Sequence, residues 1–298
     1  MPAITLPEGI LKERCDKVLS QLLLLPRAHI RTIYEAHPFE CNGKKIHLHD
    51  RVSTGDAVTF EIVDRPLKKT PKCNSPLDII FEDDDIIIIH KPAGITVHPA
   101  PGLQEKTLIE YICKYCIRLK EVERSGIVHR LDKDTTGVMV FAKSNHAFWH
   151  LSNAFANHSI DKRYTCIVQG NPPLNTGKIE IPIARQTNDK FKMIACLSGK
   201  YAKTTWIVHE RFQNFAWLDV KIYTGRTHQI RVHMNHIGHP IAGDILYGYK
   251  GDNIFPRVML HAEMISFIHP QTEKQLTFTA PLPQDFSEVL DSLRSIKI

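Results

Sequence analysis

From about residue 77 to residue 280 the sequence is a succession of short apolar segments separated by turn residues. LDIIFEDDDIIIIHKPAGITVHP, residues 77–99, predicts a strand, an acidic turn, a second strand and a loop with Pro and Gly. Residues 107–121, 145–157 and 227–237 have helical spacing instead. These helices do not alternate regularly with the strands, as they would in a doubly wound parallel sheet. We therefore expect an α+β domain at residues 77–298, with a mixed, mainly antiparallel sheet and flanking helices.

Residues 1–65 predict a second, smaller domain of α/β character. RCDKVLSQLLLL and PRAHIRTIYEAH show helical spacing, CNGKKI contains an Asn-Gly turn signal, and STGDAVTFEIV alternates like a strand. The segment that follows, residues 66–76, is rich in Pro and Lys and predicts a linker. Arg27 and Arg31 share one helix face, and Lys44 and Lys45 follow the turn. These four residues form either a local basic patch for RNA or an ordinary solvated surface.

Charge and cysteine content restrict the class of protein. The net charge is +6 with a pI near 8.9, which suggests a polyanionic partner. Residues 1–65 hold nine Lys and Arg against nine Asp and Glu, so the excess lies in the remainder of the chain. The longest apolar blocks are too short to span a membrane, and the first residues lack a signal-peptide pattern. Seven scattered cysteines fit a reducing compartment, and we expect a cytoplasmic protein.

Three segments concentrate polar residues within apolar surroundings: HRLDKDTTG, DKRYTCIV and TGRTHQIRVHMNHIGHPIAGD. Asp132 precedes a buried strand and is predicted to lie at the edge of a sheet, within reach of solvent. Tyr164 begins a strand and is predicted to face a cleft. Arg226 and Arg231 lie near a predicted helix start, where they could meet an anion. The alternatives are a turn aspartate, a core tyrosine and a surface helix.

Two metal or redox interpretations are weaker. His233, His236, His239 and His261 could be offered as zinc ligands, but no HExxH pattern accompanies them. Cys113 and Cys116 form a single CxxC, which also fits two residues one turn apart on a helix. We therefore expect no metal and no cofactor.

The order of these segments resembles a known enzyme family. DDDIIIIHKPAGITVHP, GIVHRLDKDTTGVMVFAK, KRYTCIVQG, TGRTHQIRVHMNHIGHPIAGDILYG and MLHAEMISFIHP resemble, in order, the sequence blocks of the RluA-type pseudouridine synthases. The N-terminal domain resembles the small alpha-L RNA-binding domain first described in a small-subunit ribosomal protein. One departure is EAHPFECNG, where Pro38 replaces the residues usual before the Asn-Gly turn.

The resemblance implies roles for individual residues. Asp132 would be the essential carboxylate, Tyr164 would stack on the flipped uracil, and Arg226 would pair with Asp132 and keep it ionised. Arg130 would enter the RNA stack and hold the space that the flipped nucleotide vacates. The residues expected to contact RNA are Arg130, His129, Arg231, Gln229, Arg27, Arg31, Lys44 and Lys45.

The resemblance predicts an isomerase that converts uridine to pseudouridine, with large-subunit ribosomal RNA as the substrate and transfer RNA as the alternative. No protein partner or membrane is implied, and a monomer is expected. Two other functions compete with this one. A non-catalytic RNA-binding protein would explain the basic residues but not the enclosed aspartate. A nucleoside or glycoside hydrolase would normally require two acids, and only Asp132 has a suitable setting.

Overall fold

The computed structural model describes residues 3–23, 27–60, 77–99, 105–187, 189, 192–250 and 255–295. Two units make up the chain, Met1–Leu67 and Lys68–Ile298. The linker predicted at residues 66–76 lies outside the described residues. Each unit has a hydrophobic core of its own.

The N-terminal unit packs two amphipathic helices against short antiparallel strands. Its elements are β1 (Ala3–Thr5), β2 (Glu13–Arg14), α1 (Cys15–Leu22), α2 (Arg27–Ala36), β3 (Glu40–Cys41), β4 (Lys44–Lys45), β5 (Arg51–Val52) and β6 (Ala57–Thr59). Four strands form one sheet in the order β1-β6-β3-β4, and β2 pairs with β5. Leu19, Ile30 and Val58 are fully buried between helices and sheet. The predicted Asn-Gly turn joins β3 to β4, and both of its residues have positive φ, 52° at Asn42 and 76° at Gly43.

The larger unit is built around one extended sheet. Its elements are β7 (Asp78–Glu82), β8 (Ile86–Lys91), α3 (Leu108–Tyr115), β9 (Thr136–Ala142), α4 (Asn145–Ala156), β10 (Asp161–Gln169), β11 (Thr176–Ile179), β12 (Ile183–Arg185), β13 (Met193–Ala195), β14 (Thr204–Arg211), β15 (Phe215–Ile222), α5 (Gln229–His236), β16 (Leu260–Ile268), β17 (Gln275–Thr279) and α6 (Gln284–Ser295).

Nine strands form this sheet, eight of them in the order β11-β14-β15-β10-β16-β9-β8-β7, with β17 paired to β16. Only β16 and β9 run parallel among the described pairs of this sheet. The α+β class and the mainly antiparallel sheet are therefore confirmed. The strands β12 and β13 form a separate hairpin.

Strand β9 is buried on both faces, which explains its uninterrupted apolar sequence. Met139 and Phe141 pack in the same cluster as α3, whereas Val138 and Val140 pack in the cluster that contains α4. The central position of β9 fixes the loop that precedes it, and that loop carries Asp132.

No helix in the described ranges is long and apolar enough to cross a membrane. Six cysteines are described, and all of them are free thiols. Cys113 lies on α3, but Cys116 follows the helix with an extended backbone, so the predicted helix ends between the two cysteines.

Candidate active site

The loop before β9 holds Asp132 through its own backbone and through a buried lysine. Lys91, at the end of β8, is fully buried, and its Nζ donates to the carbonyl oxygens of Lys133 at 2.9 Å and Thr135 at 2.8 Å. The Thr135 amide donates to the carbonyl oxygen of Asp132 at 3.2 Å. These bonds fix the backbone, while the Asp132 side chain remains 21% exposed at the cleft. The carboxylate is thus positioned and still accessible to a ligand.

Gly137 allows β9 to approach β16 where the two strands run parallel. Its φ is +124°, and a Cβ placed there would lie 2.1 Å from the carbonyl oxygen of Ala262. Only a residue without a side chain fits this close approach. Gly137 therefore fixes the distance between the Asp132 loop and the neighbouring strand.

The cation that pairs with Asp132 is Arg231 of α5. One Arg231 Nη lies 3.1 Å from the Asp132 carboxylate, and the same guanidinium binds Asp244 through two bonds of 2.7 and 2.9 Å. It also lies over the Tyr247 ring, 4.9 Å from the centroid. Burial alone would lower the pKa of Arg231, but the hydrogen bonds to the two carboxylates outweigh it and raise that pKa. A permanently charged guanidinium therefore faces Asp132.

The predicted pairing of Arg226 with Asp132 is wrong. Arg226 precedes α5, and its Nε donates to the carbonyl oxygen of Tyr201 at 2.8 Å. Its side chain still lines the cleft that contains Asp132. Arg226 thus lies at the wall of the cleft, and Arg231 is the arginine that pairs with Asp132.

His228 lies on the other side of the Asp132 carboxylate. Its Nε2 is 3.8 Å from Asp132 Oδ1, and its Nδ1 is 2.7 Å from the Tyr247 hydroxyl. That hydroxyl accepts a bond from the Met193 amide at 2.8 Å. Burial lowers the pKa of His228, although Asp132 opposes this effect. A neutral imidazole with an oriented ring therefore flanks Asp132.

Tyr164 forms another wall of the cleft from β10. Its ring is buried, and its hydroxyl has no hydrogen-bond partner among the described residues. Burial, with a smaller contribution from Asp132, raises the pKa of this phenol. The structure thus brings Asp132, Tyr164 and Arg226 to one cleft of about 60 Å³.

Two residues expected to contact RNA, Gln229 and Arg231, are buried and hydrogen-bonded within the protein. The Gln229 amide donates to the Lys203 carbonyl and to Thr204 Oγ1, and its oxygen accepts from Thr224 and the Arg226 amide. Gln229 is buried and has no hydrogen-bonding capacity left for a ligand. Arg231 is likewise buried, and three of its N–H groups bind Asp132 and Asp244. That either residue contacts RNA therefore stays a prediction.

Arg130 and His129 differ sharply although they are adjacent. Arg130 is exposed at the cleft, and its guanidinium has no ion pair within the described ranges. The His129 ring stacks on Phe155 at 4.7 Å, and its Nε2 accepts a bond from the Val140 amide at 3.0 Å. Burial lowers the pKa of His129 to about 3, so this histidine is neutral. Of these two adjacent residues, only Arg130 carries positive charge.

The basic residues of the N-terminal unit are surface residues where they are described. Lys44 and Lys45 are exposed on β4. Arg31 forms an exposed pair with Glu35 at 2.8 Å, and such pairs contribute little stability. The side chain of Arg27 lies outside the described residues.

Four residues of the cleft and its surroundings were not predicted: Lys91, Lys162, His228 and Asp244. Lys162 could have been found, because it lies two positions before Tyr164 on a strand and projects from the same face. Asp244 lies thirteen residues from Arg231, and only the tertiary fold brings the two together. Among the proposed zinc ligands, His233 bonds to Thr204 and the Ile181 carbonyl, and His261 bonds to Thr136 and the Ala280 carbonyl.

Known proteins with similar sequences are pseudouridine synthases. Residues 85–236 match the family model described as RNA pseudouridylate synthase. An uncharacterized RNA pseudouridine synthase of Bacillus subtilis is 37% identical, over 98% of this chain and 97% of its own length. The ribosomal large subunit pseudouridine synthase D of Haemophilus ducreyi is also 37% identical, over 96% of this chain and 92% of its own.

The fold is also similar to that of a solved pseudouridine synthase structure. The solved structure of human RNA pseudouridylate synthase domain containing 4 matches 73% of this chain and 93% of its own, with a TM-score of 0.60 and 25% identity. Sequence blocks, sheet topology and full-length relatives thus agree. The chain belongs to the RluA-type family of RNA pseudouridine synthases, which are isomerases acting on RNA.

Proposed function

We propose that this enzyme isomerises specific uridines of large-subunit ribosomal RNA, with Asp132 as the catalytic carboxylate. The observation that carries the assignment is the geometry at Asp132. The carboxylate is reachable from the cleft, is fixed by buried Arg231 and lies in the same cleft as Tyr164. Relatives named as large-subunit pseudouridine synthases cover nearly the whole chain and support the choice of RNA.

The reaction breaks the bond between N1 of uracil and C1′ of ribose, and forms a bond from C5 to the same carbon. The C5 proton leaves and N1 gains a proton, so the product is an isomer of the substrate. Asp132 could attack the sugar, attack the base or remove a ribose proton, and each role requires the ionised carboxylate. Arg231 holds the carboxylate in place through its hydrogen bond of 3.1 Å.

Tyr164 is assigned to the uracil. Its ring offers a stacking surface at the cleft wall, and its hydroxyl is unpartnered among the described residues. Because burial raises its pKa, the phenol stays protonated at neutral pH and can donate a proton or a hydrogen bond. This suits a hydrogen bond from Tyr164 to the uracil, whereas the proton that leaves C5 requires a different acceptor.

Arg130 is assigned to the RNA stack. The target nucleotide must leave its stack to reach Asp132, which costs a few kcal/mol. Arg130 is exposed and unpaired within the described ranges, and a planar guanidinium can both stack on a base and bind phosphate. Arg130 lies two residues from the catalytic carboxylate. The side chain that opens the RNA stack is therefore close to the one that reacts with the flipped uridine.

The test of the active site is Asp132→Asn. Arg231 keeps its two bonds to Asp244 in this variant, so the fold should persist. We expect near-normal RNA affinity and no pseudouridine in single-turnover assays. Measurable turnover by Asp132→Asn would refute the assignment.

The test of the substrate is a pseudouridine map of ribosomal and transfer RNA from cells with and without this protein. We expect modified positions in large-subunit ribosomal RNA to disappear with the protein, and wild-type but not Asp132→Asn enzyme to restore them. Loss confined to transfer RNA would replace the proposed substrate with the alternative.

A further inference from the structure

A second cavity, of about 460 Å³, adjoins the Asp132 cleft. The two share four lining residues: Arg130, Tyr164, Ile222 and Arg226. The volume lies within the range of pockets that hold small organic ligands. A strand of RNA with its target base in the Asp132 cleft would therefore have room for an adjacent nucleotide.

Lys162 is the unusual residue of this cavity. It lies on β10 two positions before Tyr164 and is only 6% exposed. Its Nζ lies 5.7 Å from the centroid of the Phe155 ring, and no carboxylate or carbonyl oxygen binds it within the described ranges. A buried ammonium without a hydrogen-bond partner is unfavourable. In agreement with this, burial lowers the pKa of Lys162 to about 8.

The neighbouring acid, Asp161, forms no ion pair with Lys162, although its charge raises the pKa of Lys162 and partly opposes the effect of burial. Asp161 lies next to it on the strand, but its carboxylate is 2.9 Å from Lys221 Nζ and 3.5 Å from Arg163. Consecutive residues of a strand project to opposite faces, which separates Asp161 from the cavity. No acidic side chain is found among the described residues that line the cavity.

The remaining walls suit a nucleotide. The side chains of Arg130 and Arg226 add positive charge at the boundary with the Asp132 cleft. The guanidinium of Arg226 has no carboxylate partner within the described part of the chain. Phe155 and neutral His129 are stacked with an interplanar angle of 21°, and they form a rigid apolar wall. Cations on one side and flat rings on the other match a phosphodiester and its base or sugar.

We propose that this cavity, defined by Lys162, Phe155, His129 and Arg226, binds the phosphodiester and nucleotide next to the target uridine. Lys162 supplies the buried charge, and Arg226 contacts the same phosphate from the rim. The inference rests on the proposed function insofar as the target uridine occupies the Asp132 cleft. It makes Lys162 a substrate-binding residue and not a catalytic one.

The test combines Lys162 variants with neutral linkages in the RNA. Full-length wild-type, Lys162→Met and Lys162→Arg enzymes are titrated against an RNA fragment that the wild type modifies. Each linkage near the target uridine is replaced in turn by an uncharged methylphosphonate. Lys274→Met, at an exposed site outside the cavity, is the matched control.

We expect Lys162→Met to weaken RNA binding roughly tenfold and to reduce the salt dependence by about one phosphate contact. One methylphosphonate should weaken the wild type by a similar factor and leave Lys162→Met unaffected. Lys162→Arg should recover part of the affinity, and Lys274→Met should behave like the wild type.

Unchanged affinity and salt dependence in folded Lys162→Met would overturn the proposal. It would also be overturned if, at every linkage, the losses of affinity caused by the methylphosphonate and by Lys162→Met simply added. Failure of the proposed substrate has a different signature. In that case the wild type makes no pseudouridine in ribosomal RNA, and the same titration is run on the RNA that it does modify.

Discussion

At the scale of single residues, Asp132 is held by Arg231 and not by Arg226, which lies five positions earlier in the sequence. Both Arg226 and Arg231 lie in the segment TGRTHQIR, and sequence spacing alone did not separate them. In the structure, His228 lies between the two arginines, and its backbone is left-handed with a φ of 55°. Helix α5 therefore begins at Gln229, two residues later than predicted, and Arg226 stays in the loop. A left-handed histidine before a helix has no clear sequence signal.

Replacing each arginine by lysine distinguishes their roles. Arg231→Lys keeps the charge but cannot bind Asp244 through two bonds while reaching Asp132, so the carboxylate loses its orientation. We expect kcat to fall by ~10²-fold with little change in KM. In Arg226→Lys, kcat should stay near the wild-type value and KM should rise. Single-turnover kinetics of both variants check this, and a larger loss of kcat in Arg226→Lys would contradict it.

At the scale of elements, the strands were predicted well because each is short, apolar and bounded by turns. Residues 77–99 form β7, an acidic turn, β8 and a Pro-Gly loop, as their pattern predicts. The three predicted helices exist as α3, α4 and α5 with shorter bounds. Helix α6 was missed, although Phe286, Leu290 and Leu293 show helical spacing.

Which strands pair with each other could not be predicted as well from the sequence. Strand β9 runs parallel to β16, more than a hundred residues away, and their contact depends on one glycine. The sequence TTG at residues 135–137 shows a glycine at a strand start, but not that another backbone lies against it. Interactions between distant segments are set by the tertiary fold, and local patterns do not encode them.

Gly137→Ala tests the close approach of β9 and β16. The new Cβ would meet the Ala262 carbonyl at 2.1 Å, and the φ of +124° is unfavourable for alanine. We expect a loss of about 3 kcal/mol in the free energy of unfolding. Thermal unfolding measures it, with Gly225→Ala as the stability control, because no atom lies within 4 Å of a Cβ there. A melting temperature unchanged in Gly137→Ala would show that the two strands can separate without cost.

At the scale of the whole molecule, the chain joins a large unit that carries the candidate active site to a small unit with exposed lysines. Each has a separate hydrophobic core, the smaller one formed by residues such as Leu19 and Val58. The residues that line the candidate active site all belong to Lys68–Ile298. The division into two units could be predicted from the Pro- and Lys-rich composition of residues 65–76. The RNA-binding role of the small unit remains a prediction.

Deleting residues 1–65 tests that role. If the small unit binds RNA, the intact chain holds its substrate at two places, and removal of one weakens binding by roughly tenfold or more. The cleft keeps Asp132, Arg231 and Tyr164, so some turnover should remain while site selection relaxes. The matched variant is Lys44→Glu with Lys45→Glu in the full chain, which reverses exposed charge without removing the fold. RNA affinity and a pseudouridine map are measured for both. Truncated enzyme with full affinity and full selectivity would show that the large unit alone recognises the RNA.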